Sequence, residues 1–402
     1  MKYVVIGASA AGLSGAKTLR ENDGAAEIVL IAPDELIHSR CILHRYISGE
    51  RSQKSLSFVE DGFIEKNNIQ WLKTKVTGVD LAAKQVQTAD GKAVAYDKLL
   101  VAAGSVTATP SIQGLDKAVG VFCLQNFEEA DSIKAHMTSA KHIAVVGSGL
   151  IGCDVVSGVL DSGAEVSCYE FGPHLMPLNL DGYAAGVYAQ AFGKQGVAQH
   201  FGVKIQEVLL DGNNQVTGLK LADGREFPCD MLVLATGVKA NVDFLQGSGL
   251  ELSAKGLVFD KFGRTSDPNV YAAGDISGVS PIWSAAVKEG IIAASNMSGV
   301  EMEMTDFFAS KSTMNFLGIA TMSLGTPVKP DDSYTEIVDV DDHGNYKKVI
   351  HKNGEITGAI LQGDLSYAGI LTQLIREKID VSKVKKPLFS IDYSDFFGEF
   401  AF

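Results

Sequence analysis

Cysteine is scarce in this chain, and what there is does not pair up. The five cysteines are an odd number with no Cys-x-x-Cys, which excludes a two-cysteine redox centre and points to a reducing compartment. Positive charge is also short: 35 basic against 48 acidic residues leave a net charge of -13, which argues against a nucleic-acid partner. There is no unbroken apolar span, because the stretch from Ile143 to Leu160 is interrupted by four glycines and Asp154 and reads as a binding turn. The first strand begins at Tyr3, which leaves no room for a signal peptide, so the expectation is a cytoplasmic protein with no membrane span. Cys41 and His44 have metal-ligand spacing, but no second pair completes a tetrahedral site and no metal is expected. Cys123, Cys153, Cys168 and Cys229 lie in apolar helix or strand contexts and are expected to pack rather than react.

Glycine, by contrast, is plentiful. With 42 glycines, 46% hydrophobic residues and 402 residues in all, the chain can form two or three domains with buried parallel sheets and tight turns. The glycines are organised into a repeated signature. A strand, a glycine turn and a helix appear at Val4 to Gly12, with Gly7, Ser9, Ala10, Ala11 and Gly12 in the turn. The same unit returns at Ile143 to Gly152, with Gly147, Gly149, Leu150, Ile151 and Gly152. The first glycine permits the bend, the second admits a pyrophosphate to the backbone N-H groups, and the third seats helix on strand. One such turn is a weak signal, but two at the same phase predict two bound dinucleotides and hence a flavoprotein.

The acid that follows each copy separates the two sites. In the second, the strand from Glu165 ends in Glu170, at the distance where a carboxylate accepts both ribose hydroxyls of an adenosine. The next residues, Phe171 to His174, offer no arginine for a 2'-phosphate, so this site is expected to take NADH. In the first copy Ser9 replaces the middle glycine and the strand runs into Ala32-Pro33, with Asp34 and Glu35 just beyond in a looser register. Each copy then closes with a buried strand and a small-residue turn, Tyr96 to Gly104 and Cys229 to Gly237, and a third such run, Asn269 to Asp275, ends in an acid. By itself such an aspartate caps a helix as readily as it meets a ligand.

Together these segments resemble the two-dinucleotide flavoprotein reductases of the pyridine nucleotide-disulfide oxidoreductase superfamily: NADH oxidases, coenzyme A disulfide reductases, rubredoxin reductases and ferredoxin reductases. The resemblance covers essentially the whole chain. It implies an α/β fold of two Rossmann-like three-layer domains plus a small α+β C-terminal domain. The FAD domain would take residues 1-112 and 245-305, the inserted NADH domain 113-244, and a rubredoxin-reductase-like domain 306-402. It also implies that Gly274 and Asp275 hold the FAD ribityl and pyrophosphate, that Val76 sits at the adenine, that Ala102, Ala103 and Gly104 line the flavin, and that nicotinamide stacks near Gly237 and Val238.

The acceptor turns on the segment His38 to Gly49, which follows the second strand where these reductases start the helix beside the flavin. Cys41 falls where NADH oxidases and coenzyme A disulfide reductases carry a single redox cysteine, whereas Arg40 and Leu43 match the Arg-Pro-x-Leu pattern of rubredoxin and ferredoxin reductases. Near a helix start and Arg40, Cys41 would be a reactive thiolate able to reduce a disulfide, persulfide or peroxide; the alternative is a small buried hydrophobe in proline's place. Arg45 and Asp154 occupy the positions of a lysine and a glutamate that pair in related ferredoxin reductases. They are read as a cation beside the flavin and the carboxylate that orients it, against the alternative of a surface ion pair.

The last part of the chain changes to short strands and one helix. Lys352 to Asp364 resembles the closing domain of NADH:rubredoxin reductases and the flavin part of nitrite reductases. Lys347, Lys348, Lys352, Lys383, Lys385 and Lys386 could dock an acidic carrier protein or form a solvated face. The aromatic tail, Phe389, Tyr393, Phe396, Phe397, Phe400 and Phe402, is expected to pack on its own domain or at a subunit interface.

Two principal functions follow, both with NADH and FAD. One passes electrons to a rubredoxin-like or other iron-sulfur protein or partner subunit, since a flavin accepts two electrons and can release them singly. The other is a self-contained reductase of a small disulfide, persulfide, peroxide or oxygen that cycles Cys41. A third, a flavin-dependent binding or assembly protein with slow turnover, stays open, as does the choice between a homodimer and a subunit of a larger complex.

Overall fold

The computed structural model describes residues 1-279, 281-305, 311-382 and 384-396. They divide into two compact units, Met1–Pro110 with Phe122–Ser139 and Thr236–Thr305, and Ser111–Val121 with Ala140–Ala235 and the described part of 306-402.

The first unit is built on a five-stranded parallel sheet in the order Val270–Ala272, Lys98–Val101, Lys2–Ile6, Glu27–Ile31, Ile69–Leu72. Its strands are near-continuous Val, Ile and Leu runs because both faces are covered. Successive residues of the opening strand enter different cores: Tyr3 and Val5 join Leu13, Leu19, Leu30 and Leu100, while Val4 and Ile6 join Val29, Ile31, Leu99 and Val101. Helices Ala10–Asn22 and Trp283–Met297 cover the first face; Val79 and Val86 of a three-stranded antiparallel sheet cover the second.

The second unit repeats the plan, with Ala198–Phe201, Glu165–Glu170, His142–Val146 and Met231–Leu234 parallel in that order. It also carries a five-stranded antiparallel sheet, ordered Lys311–Phe316, Ile319–Gly325, Glu355–Gln362, Tyr346–Lys352, Thr335–Val340. Leu371, Leu374 and Ile375 of helix Ala368–Arg376 pack on Leu324, Val349 and Leu361 of this sheet. The architecture is the α/β fold with a small α+β closing part that the family resemblance implies.

Buried polar groups join this closing sheet to helix Gly182–Lys194. The Tyr188 hydroxyl donates to the Ile319 carbonyl at 2.7 Å, and Gln362 Nε2 donates to the Ala184 carbonyl at 3.1 Å. Lys348 is only 3% exposed, with its ammonium 2.9 Å from both Asp181 and Glu336. Asp181 also accepts from the Tyr346 hydroxyl at 2.6 Å and caps the helix through the Ala184 N-H.

This network removes Lys348 from any basic docking face and pairs several of the other lysines. Lys348 is inside, Lys347 lies 3.6 Å from Asp364, Lys352 sits over the Tyr334 ring, and Lys386 pairs with Asp395 at 2.7 Å. Lys385 is exposed, and Lys383 lies outside the described residues. Of the aromatic tail, Phe389 packs edge-on against Tyr367, whereas Phe397, Phe400 and Phe402 lie outside the described residues. Among the described residues no helix is long and apolar enough to cross a membrane.

Burial works against the Asp181 charge, but hydrogen bonds from Tyr346, the Ala184 N-H and Lys348 outweigh it and hold the carboxyl below its usual value. Asp181→Ala takes an acceptor from Tyr346 and a partner from buried Lys348, and is expected to cost about 3-5 kcal/mol at pH 7, read as a lower urea midpoint. A depressed carboxyl stabilises the fold above its unfolded value and stops doing so as pH falls through the folded one. The gap between wild type and variant should therefore narrow as pH drops below about 4.

Candidate functional site

Steric requirements build both glycine turns. Gly7 has φ +109°, and a Cβ there would lie 2.2 Å from the Ala102 carbonyl oxygen; one on Gly12 would lie 1.8 Å from the Gly7 oxygen. Gly147 has φ +93°, and a Cβ on Gly152 would lie 2.1 Å from the Gly147 oxygen. Gly149 differs, since a Cβ there would meet nothing within 4 Å. Its surroundings are open, as a middle position that admits a ligand requires.

The starts of the two turn helices are open too. Ser9 and Gly149, the N-cap residues of Ala10–Asn22 and Leu150–Val159, make no side-chain capping bond. Helices Phe127–His136 and Gly182–Lys194 are capped, by Asn126 and Asp181. The first-turn N-H groups at the glycine turns thus remain available to an anion, and the residues present fit a dinucleotide pyrophosphate in each copy.

Strand register separates the copies. Val146 pairs with Tyr169, so Glu170 stands one residue beyond, at the mouth of the second turn. Its Oε2 accepts from the Ser148 N-H at 2.8 Å and the Ser148 hydroxyl at 3.0 Å, and its Oε1 from the Gly172 N-H at 2.7 Å. In the first copy Ile6 pairs with Ile31, so the counterpart of Glu170 is Ala32, which is buried. Asp34 stands two residues further on, 3.9 Å from the Arg40 guanidinium.

A second group of residues gathers around the first turn. Ala102, Ala103 and Gly104 follow strand Lys98–Val101, and the Ala102 N-H donates to the Ile6 carbonyl at 2.9 Å. Ser105–Thr107 pairs antiparallel with Val238–Ala240, which sets Val238 opposite Thr107 and Gly237 beside Ala108, while Asn241 is the residue that meets Ala103 and Gly104. Val76 is half-buried against the core on the other face of the sheet. Gly274, with φ +83°, leads into Asp275, which accepts from the Ser105 hydroxyl at 3.3 Å. Burial pushes the Asp275 carboxyl up, while Ser105 and Arg40 pull it down. The Gly274 N-H donates to Glu289 Oε2 at 2.7 Å. Burial pushes Glu289 up to about 7, against the Gly274 hydrogen bond and reinforced by Asp275.

Arg40 donates to the Gln125 carbonyl at 3.0 Å. Two residues before it, His38 is 4% exposed, and its Nε2 finds no hydrogen-bond partner among the described residues. Arg40, Cys41 and Ile42 form a single 3-10 turn ahead of helix Leu43–Ile47. Leu43 is fully buried, but Cys41 is exposed, which removes its reading as a small buried hydrophobe. A helix of only five residues also offers little dipole to a thiolate. Arg45 pairs with Glu50 at 3.1 Å within its own unit; Asp154 belongs to helix Leu150–Val159 of the second unit.

Of the other cysteines, burial pushes Cys168 and Cys229 up to about 12 and Cys153 well above its usual value, consistent with packing. Cys123 and Cys229 lie just outside strands rather than within them, and Cys123 is half-buried. Among the described residues no cluster of His, Cys, Asp and Glu could hold a metal ion.

Two participants escaped the sequence reading. Gln125 donates to the Ser105 carbonyl at 3.4 Å, accepts from the Thr107 N-H at 2.9 Å, and presents its own carbonyl to Arg40. A lone glutamine in a loop carries no local signal of that role. Glu289 did carry one, being an acid in the middle of the apolar helix Trp283–Met297.

Residues 1-290 match the family model described as pyridine nucleotide-disulphide oxidoreductase, and 311-379 match the rubredoxin NAD+ reductase C-terminal domain. The chain is similar to a nitrite reductase (NAD(P)H) of Bacillus subtilis, 27% identical over 395 residues that cover 93% of this chain and 47% of that protein. It therefore spans about half the length of this relative. It is also similar to the NADH-dependent phenylglyoxylate dehydrogenase subunit epsilon of Aromatoleum evansii, 28% identical over 400 residues, covering 96% and 93% of the two chains. In fold it resembles a NAD-dependent persulfide reductase from A. fulgidus, with TM-score 0.86 and 24% identity over 96% of this chain and 78% of the other.

The two kinds of glycine predict different failures. Gly149→Ala meets no protein atom within 4 Å, so the thermal midpoint should stay within about 2 °C, while any dinucleotide that rests on this turn should bind on the order of tenfold more weakly. Gly152→Ala should lower both, because its methyl group would strike the Gly147 carbonyl.

Proposed function

Because the chain belongs to the pyridine nucleotide-disulphide oxidoreductase family, whose members use FAD and NAD(P)H, we propose that it is an NADH-dependent FAD oxidoreductase delivering electrons to a second protein. The observation that carries this reading is the pair of uncapped turn helices, with a glutamate held at the mouth of one. FAD takes the first copy, with Gly7 to Gly12, Asp34, Arg40, Val76, Ala102 to Gly104, Gly274 and Asp275 around it. NADH takes the second, with Gly147 to Gly152 and Glu170, and its nicotinamide end belongs near Gly237 and Val238. The FAD domain is then 1-112 with 245-305, the NADH domain 113-244, and the closing domain 306-402.

Bound FAD supplies acceptance of a hydride and release of electrons singly or in pairs. The chain's own part is to hold and orient. First-turn N-H groups receive the phosphates, and Glu170 exchanges its bonds to Ser148 and Gly172 for the two ribose hydroxyls. No arginine follows Glu170 to receive a 2'-phosphate, which supports NADH over NADPH. Arg45 is proposed to set a cation beside the flavin.

A rubredoxin-like or other iron-sulfur protein, or a partner subunit, is favoured as acceptor because 311-379 matches the closing domain of rubredoxin reductases and a relative of nearly equal length is a complex subunit. The second reading, a self-contained reductase of a small disulfide, persulfide, peroxide or oxygen, rests on the exposure of Cys41. Either activity is assigned to the cytoplasm, in keeping with the unpaired cysteines.

Anaerobic NADH titration of wild type beside Cys41→Ser separates the readings. A protein acceptor predicts that the variant keeps its NADH-to-dye turnover; a long-wavelength thiolate-to-flavin band that needs Cys41, lost together with turnover, selects the small-substrate reading instead. Glu170→Ala should raise the KM for NADH on the order of tenfold with little change in kcat. An unchanged KM would remove the NADH assignment from this site.

A further inference from the structure

Glu289 has no task in the reading above. It lies within the apolar helix Trp283–Met297, and its Oε2 accepts the Gly274 N-H at 2.7 Å. The packing around it is close. A Cβ on Gly290 would lie 2.2 Å from the Ala11 carbonyl oxygen, and one on Gly274 would lie 3.1 Å from the Ala11 Cβ. The carboxyl is thereby tied to the turn that rests on the open first turn of helix Ala10–Asn22.

The charges in this neighbourhood are unbalanced. The turn after Val270–Ala272 contributes Asp275, on which Arg40 acts from the segment after the second strand. The first turn of Ala10–Asn22 brings Ala10, Ala11, Gly12, Leu13 and Ser14, none of them titratable, and on its own helix the neighbour of Glu289 is exposed Lys288. One guanidinium and one helix start thus answer two half-buried carboxyls before any ligand arrives. A pyrophosphate diester adds two more negative charges, and like charges at close range favour the neutral form of whichever acid can accept a proton.

We propose that Glu289 is a positioning residue of the flavin site that takes up a proton from solvent when FAD binds, so that it supports the Gly274–Asp275 turn as a neutral acid. This rests on the reading of the first glycine turn as the FAD site. The balance is simple: apoprotein with ionised Glu289, FAD and one proton give the complex with Glu289 protonated. Burial already brings the carboxyl to about 7 without a phosphate beside it, and the phosphate charge raises it further. Affinity is therefore full below about pH 7 and falls as pH rises through that value, levelling off above the bound-state value.

The test uses apoprotein titrated with FAD, followed by quenching of flavin fluorescence between pH 6 and 9. The wild-type Kd should rise on the order of tenfold from about pH 6.5 to 8.5. Calorimetry near pH 7.5 in buffers of different ionisation enthalpy should show net proton uptake, a measurement that needs no variant. Glu289→Gln, which keeps an acceptor for the Gly274 N-H, should flatten the pH profile and abolish the uptake. A flat wild-type profile without proton uptake, or an unchanged slope in Glu289→Gln, overturns the proposal. Asp275→Asn tells this apart from failure of the site itself. If that variant leaves the FAD Kd unchanged, the site assignment falls; if it shifts the Kd while the Glu289→Gln slope persists, only the protonation proposal falls.

Discussion

The structure depends on one close approach, repeated: the first residues of a helix pressed against the backbone where a parallel strand ends. The oxygen of Gly7 lies where a Cβ on Gly12 would have to be, at 1.8 Å, and Gly147 stands in the same relation to Gly152 at 2.1 Å. No side chain fits between such groups, so only glycine permits the contact. The approach aims a helix start outward, its N-H groups unclaimed by any capping side chain, and that makes each turn an anion site.

From this shared constraint the two copies diverge through register. Where the second places Glu170, held by Ser148 and Gly172, the first places buried Ala32. A carboxylate at that place favours a dinucleotide whose ribose hydroxyls are free to bond to it. The first copy draws its polar groups from further afield. Arg40 comes from the segment after the second strand, Ser105 from the strand after the closing turn, and Asp275 and Glu289 from the last third of the unit. Asp275 and Glu289 are half-buried, and loss of water around them raises both carboxyls, which makes this the most strongly perturbed acidic pair of the first unit.

The closing sheet follows a different logic. Lys348 looks in sequence like one of a run of surface lysines, yet it is sealed between Asp181 and Glu336 beside the Tyr346 hydroxyl. The group of lysines that suggested a docking face is partly consumed by internal pairing. Alternation along Tyr346–Lys352 explains why: Tyr346, Lys348 and Ile350 share one face of the strand, and that face is buried.

What could be read without a structure was whatever local spacing encodes. The two glycine turns, the strands that feed them, the small-residue turns at Ala102 to Gly104 and at Gly237, the acid Glu170, and the change of texture after residue 306 all express contacts among residues close in sequence. There the backbone itself dictates which residue type is allowed. The place of Ala32 opposite Glu170, the exposure of Cys41 on a turn too short for a strong helix dipole, the burial of Lys348, and the gathering of Gln125, Ser105, Asp275 and Glu289 came only from tertiary structure. These depend on strand order and on which helix covers which face, with partners such as Ser105 and Asp275 or Lys348 and Asp181 more than a hundred residues apart, and no local pattern records them.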